Sequence, residues 1–181
     1  MALPLSFLLA LVVLSCKSTC SLGCDLPRIH HLDLELLKKM RRIISILSCV
    51  KYRKDFAFPK KQLDGEHVQK AQAVAVFYEM TQQVFNLFST QESFAAWNKT
   101  LLNSFLRVLY QQLDDLKACV TQQVEVEEAP KRTVKKYFRR LTDYLKEKTY
   151  LPCAWEVVRA TLVSNLQAPV PYILQMYLLS I

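Results

Sequence analysis

The side chains of this 181-residue chain with chemistry to offer are six cysteines, three histidines and a few paired carboxylates. Asp114-Asp115 and Glu127-Glu128 are adjacent pairs. Neighbours along a helix point different ways, so neither pair suits joint acid/base work. His30, His31 and His67 have no nucleophile or base beside them, and histidines in such a context face solvent more often than a metal. There is no Gly-rich phosphate loop, no HExxH and no GxSxG. The expectation is no enzyme, no metal and no cofactor. What remains is crosslinking. Cys16 and Cys20 sit beside an apolar N-terminal run; Cys24, Cys49, Cys119 and Cys153 lie beyond it. An even number at wide spacing suits two disulfides and not a zinc knuckle.

Disulfides need an oxidising compartment, and the N-terminus supplies one. Leu5 to Leu14 reads LSFLLALVVL, the length of a signal-peptide core and too short to span a bilayer. Ser21 and Gly23 are small residues placed for cleavage before Cys24. Residues 1–23 are thus expected to be a signal peptide and 24–181 one secreted, extracellular domain with no membrane insertion. The net charge of +8 stays positive after cleavage, because only Lys17 leaves. Asn98-Lys99-Thr100 is an N-glycosylation sequon, which on an exported chain marks Asn98 as a glycan site. Otherwise it is a helix cap. Lys131, Lys135 and Arg139 recur at helical spacing, with Arg132, Lys136 and Arg140 one step round. That is either a solvated face or an electrostatic surface for an acidic receptor or heparan sulfate. Export and the lack of interleaved aromatics argue against nucleic acid.

Two glycines in the whole chain are too few for the turns of a sheet protein, so the elements are helices. Five are predicted. The first, 30–47, carries Leu32, Leu36, Leu37, Met40, Ile43, Ile44 and Leu47 at helical spacing. The second, 66–88, turns Val74, Phe77, Val84 and Phe88 inward, and the third, 98–118, has a stripe of Leu102, Phe105, Leu109, Leu113 and Leu116. The fourth, 131–148, has the cleanest series in Val134, Tyr137, Phe138, Leu141, Tyr144 and Leu145. The fifth begins at Pro152 and carries Trp155, Val158, Leu162 and Leu166. Trp97 and Trp155 read as core or boundary anchors. Residues 50–65 and 120–130 read as loops, 89–96 as a short connection, and 172–181 as an atypical apolar tail.

The first loop is long enough to cross a bundle, whereas the second–third and fourth–fifth connections are short. The fold expected is therefore all-α: an up-up-down-down bundle with five helices and two long connections, the arrangement of helical cytokines. Cysteines that flank one helix of about 17 residues are held roughly 25 Å apart, too far to pair. The up-down order then brings Cys24 to Cys119 and Cys49 to Cys153. Loops of roughly 100 residues make each bridge worth about 4–5 kcal/mol as an upper figure.

The segments CDLP at Cys24, FNLFST at Phe85–Thr90, AAWN at Ala95–Asn98, YQQLDDLKACV at Tyr110–Val120 and CAWEVVRA at Cys153–Ala160 resemble type I interferons of the alpha/omega kind. The likeness runs to about Ala160; the tail beyond it is apolar where the family's is polar. The resemblance implies a cytokine that bridges a two-chain cell-surface receptor and triggers kinase-linked antiviral signalling. It implies a high-affinity chain at Leu34, Glu35, Val50, Arg53, Arg159, Ala160, Val163 and Ser164. It implies a low-affinity chain at Phe85, Asn86, Thr90, Leu101, Tyr110 and Lys135. Glu35 and Val163 replace apolar residues common in the family, Ser164 replaces a usual arginine, and Lys135 stands where an arginine is usual. The connection between the third and fourth helices is also shorter than the family's, implying a trimmed start to the fourth helix. An alternative is a decoy or heparan-sulfate-binding bundle without signalling.

Overall fold

A computed structural model describes residues 34–41, 46–63, 70–121 and 128–167. Among them there is no strand. In chain order the helices are α1 (Leu34–Lys39), α2 (Ile46–Cys49), a 3₁₀ turn (Val50–Tyr52), α3 (Lys60–Leu63) and α4 (Lys70–Phe88). Then come α5 (Gln91–Ala96), α6 (Lys99–Thr121), α7 (Glu128–Glu147) and α8 (Pro152–Gln167). The signal segment, Cys24, the three histidines and the apolar tail lie outside the described residues, as do Leu32, Ile43 and Ile44.

Beside a smaller cluster of Val74, Phe77, Leu116 and Cys119, the helical periodicities resolve into one main core. Val84, Phe88, Leu102, Phe105, Leu109, Val134, Tyr137, Phe138, Leu141, Trp155, Val158 and Leu162 all face it. Leu36 is only half-buried, with Leu37 and Met40 taking the inner positions. Trp97 and Trp155 are core residues, their rings 6.1 Å apart and grouped with Phe88. Edge-on and tilted aromatic pairs of this kind add roughly 0.5–1.5 kcal/mol each beyond their burial.

The predicted single first helix is interrupted. α1 ends at Lys39. An unbroken helix would offer the Leu37 carbonyl to the amide of Arg41. Here that carbonyl accepts from Arg159 Nη1 at 3.4 Å, and Arg41 N donates to Lys38 O instead, at 3.1 Å. The short connection 89–96 also proves to be partly helical. Thr90 caps α5 by accepting from Ser93 N at 3.2 Å, a favoured role for threonine. α6 runs on to Thr121 and α7 starts at Glu128, three residues before the predicted start, so the predicted loop 120–130 is shorter at both ends. Inside the first loop the 3₁₀ turn and α3 add two helical turns.

The chain direction follows from which ends meet. Phe88 meets Phe105 while Val74 and Phe77 meet Leu116 and Cys119, so α4 and α6 are antiparallel. Arg159 meets Leu37 while Cys153 bonds Cys49, so α8 runs against α1. Tyr137 meets Asn165, so α8 also runs against α7. Lys135 meets Glu79 midway along α4, and from there both α4 and α7 run on to the aromatic cluster around Trp155, so these two are parallel. The result is up-up-down-down for α1, α4, α6 and α8, with α7 as the return. Around the barrel the neighbours are α1–α8–α7–α4–α6 and back to α1. α4 therefore lies across the molecule from the α1–α8 pair.

Cys49 and Cys153 are joined, their Cα atoms 5.2 Å apart and 104 residues apart in sequence. Cys119 is disulfide-bonded too; Cys24, to which the pairing assigns it, lies outside the described residues. With so few glycines, tight turns fall to other residues. Thr149 and Tyr150 take left-handed φ of 48° and 54° between α7 and α8, and Ala57 takes 49° in the first loop. Each costs a residue with a Cβ roughly 1 kcal/mol.

Candidate functional site

Two surfaces on opposite sides of the ring hold the residues singled out in the sequence. The first lies where the segment after α2 runs beside α8. Val50 stands on the 3₁₀ turn with 48% of its surface exposed, and Arg53 follows as its C-cap, its amide on Val50 O at 3.1 Å. On α8, Ala160 and Ser164 are exposed one turn apart, as helical periodicity requires. Two grooves open between these elements. One, of about 320 Å³, is lined by Val50, Arg53, Val157, Arg159 and Ala160 among others. The other, of about 650 Å³, runs from Arg53 to Phe56 on one wall and from Val157 to Asn165 on the other. Arg53, Val157 and Ala160 line both.

The remaining residues of this set behave differently. Leu34 is half-buried on α1, and Val163 is half-buried against the core. Glu35 is exposed, and Lys38 at 2.7 Å holds its carboxyl below the ordinary carboxylate range. Arg159 is only 7% exposed. Its guanidinium spans both oxygens of Glu156, at 3.0 and 2.5 Å, and reaches the Leu37 carbonyl. It joins α8 to the end of α1 and presents little of itself to the outside. Val157, Thr161 and Asn165 line the grooves beside Ala160 and Ser164, on one outward face of α8 that its mixed small, apolar and polar residues do not announce.

The second surface centres on α4 and its neighbours. Asn86 is exposed, its side chain accepting from Gln82 at 3.1 Å. Phe85 and Leu101 are half-buried against the core, and Thr90 is committed to its cap. Tyr110 on α6 is 65% exposed, the most open large apolar side chain among the described residues. Lys135 on α7 has 53% of its side chain exposed and meets the nearly buried Glu79 of α4 at 3.5 Å. At the junction of α5 and α6, Asn98 Oδ1 caps α6 by accepting from the amides of Thr100 and Leu101, at 3.0 and 3.1 Å.

The basic residues of α7 split into two kinds. Lys131 pairs with Glu128, Lys135 with Glu79, and Arg140 donates to backbone carbonyls of the first loop. Arg132, Lys136 and Arg139 are exposed and make no ion pair among the described residues. No group of three or more His, Cys, Asp or Glu there could hold a metal, and no helix is long and apolar enough to cross a membrane.

The interferon alpha/beta domain family matches residues 25–170 of this chain. The chain belongs to the type I interferons. This interferon is 56% identical over 176 residues to human interferon alpha-14, covering 92% of its own length and 93% of that protein. It is 56% identical to human interferon alpha-4 over the same length. Among solved structures it is similar to zebrafish interferon 2, at 28% identity and a TM-score of 0.65, covering 77% of this chain and 93% of that one. The family match reaches beyond Ala160, where the sequence likeness was expected to stop. The structure agrees, since α8 continues to Gln167 and buries Leu162 and Leu166. Interferons are cytokines, so the protein is not an enzyme.

Proposed function

We propose that this interferon is secreted and bridges two chains of a cell-surface receptor, triggering kinase-linked antiviral signalling. The high-affinity chain meets the grooves beside Arg53 together with α1 and α8. The low-affinity chain meets the outer side of α4, α6 and α7 at Asn86, Tyr110 and Lys135. The observation that carries the reading is the ring order, in which α4 lies across the molecule from α1 and α8. Two partners on opposite sides do not collide, and membrane confinement raises the effective concentration of the second. Arg159 serves this face by fixing α8 to α1. Asn98 carries an N-linked glycan in this reading. Its carbonyl oxygen caps α6, which leaves the amide nitrogen for the sugar.

An antiviral reporter assay with protein from Cys24 to Ile181 tests the reading. Arg53→Ala is expected to weaken high-affinity binding and signalling together, and Lys135→Ala to reduce signalling more than total binding. Binding to one chain only, without any signal, would favour the decoy. The exposed row Arg132, Lys136 and Arg139 supports heparan-sulfate binding as a second reading. Elution from a heparin column at no higher salt than a triple alanine variant of that row would rule it out.

A further inference from the structure

We propose that Arg140 and Tyr144 of α7 are positioning residues that hold the loop 52–58 against the bundle and thereby aim Arg53 at the high-affinity receptor chain. This rests on the assignment of that face above. The loop has little regular structure of its own between the 3₁₀ turn and α3, so its shape must come from contacts with a rigid element. α7 supplies them. Tyr144 donates its hydroxyl proton to Tyr52 O at 2.5 Å. Arg140 donates from Nε to Phe56 O at 2.9 Å and from Nη2 to Ala57 O at 3.0 Å. These two anchor points bracket Arg53 on both sides in the sequence. Ring contacts reinforce them: Phe56 meets Tyr144 and Phe58 meets Tyr137 edge-on, each with centroids 5.1 Å apart. Arg140 itself lies over the Tyr137 ring at 5.9 Å.

The held segment is also strained. Ala57 has φ of 49°, a conformation that a residue with a Cβ keeps only when its surroundings impose it. Its carbonyl is one of the two that Arg140 grips, and its amide donates to Asp55 Oδ1 at 2.8 Å. A guanidinium can grip two successive carbonyls because its donors form a fixed fork, which a lysine lacks. Arg140, though exposed, is thus committed to the loop, unlike Arg132, Lys136 and Arg139.

The test uses the full secreted protein with Arg140→Gln, Arg140→Lys and Tyr144→Phe, and with Arg53→Ala and Lys135→Ala as references. Tyr144→Phe removes only the hydroxyl and keeps the buried ring. Binding is measured to each immobilised receptor ectodomain, and amide hydrogen exchange is read at Arg53 and Ala57. Arg140→Gln is expected to weaken the high-affinity chain roughly tenfold, to leave the low-affinity chain unchanged, and to speed exchange at both amides. Arg140→Lys should not rescue, and Tyr144→Phe should show the same pattern more weakly. Unchanged exchange at both amides in Arg140→Gln and Tyr144→Phe overturns the proposal. So does equal loss on both receptor chains, which would mark a merely structural role. If Arg53→Ala itself leaves high-affinity binding intact, the face assignment fails, whereas the exchange result still judges whether α7 holds the loop.

Discussion

Arg159 shows how one residue joins sequence to architecture. Its fork holds Glu156 on its own helix and takes the Leu37 carbonyl, where α1 stops. Removing it would leave Glu156 half-buried without that partner and a helix end less well satisfied. Arg159→Ala is therefore expected to destabilise the fold by about 2–3 kcal/mol, measured by urea unfolding, with Arg159→Lys recovering less than half. A loss confined to receptor binding, with unchanged unfolding, would contradict this role. In the sequence the arginine was legible only as an expected contact of the high-affinity receptor chain. Neither its burial nor its partner across 122 residues could be read there, because a guanidinium on an amphipathic helix is equally at home in water.

Between elements, the polar ties matter as much as the apolar stripes. Asn165 of α8 donates to the Tyr137 hydroxyl of α7 at 3.0 Å. Burial pushes that hydroxyl up to about 12, partly offset by Asn165 and by the Arg140 charge, against an ordinary phenol near 10. The folded state holds this proton more tightly than the unfolded chain. The stabilisation is thus complete below about pH 10 and lost as pH rises towards 12, by about 2–3 kcal/mol. Urea midpoints across that window should fall more steeply for the natural protein than for Tyr137→Phe; parallel slopes would count against it. Most of the helices were readable from periodicity, as the buried stripe of α7 shows. What escaped were short pieces fixed by tertiary contacts or single caps. α5 depends on Thr90, α3 packs on α7, and the break after α1 depends on Arg159. Four- to six-residue helices are not stable on their own, so little in their local sequence announces them.

At the scale of the molecule, two long-range restraints set the geometry: the Cys49–Cys153 bridge ties the end of the first helical segment to the start of α8, and the α7 contacts tie the first loop down. The bridge was legible because helix length forbids pairing across one helix and the up-down order selects between the pairings that remain. The loop's path was not, since Phe56 and Phe58 look like stray aromatics in a polar stretch. Together these restraints set the grooves around Arg53 on the far side of the ring from α4. The central claim is that two partners bind this one small bundle at once on opposed surfaces. Its most direct test is to capture the protein on one immobilised receptor ectodomain and then flow the other across it. The account predicts additive mass, a one-to-one-to-one complex with neither chain displacing the other. Competition between the two chains for the same surface would contradict it.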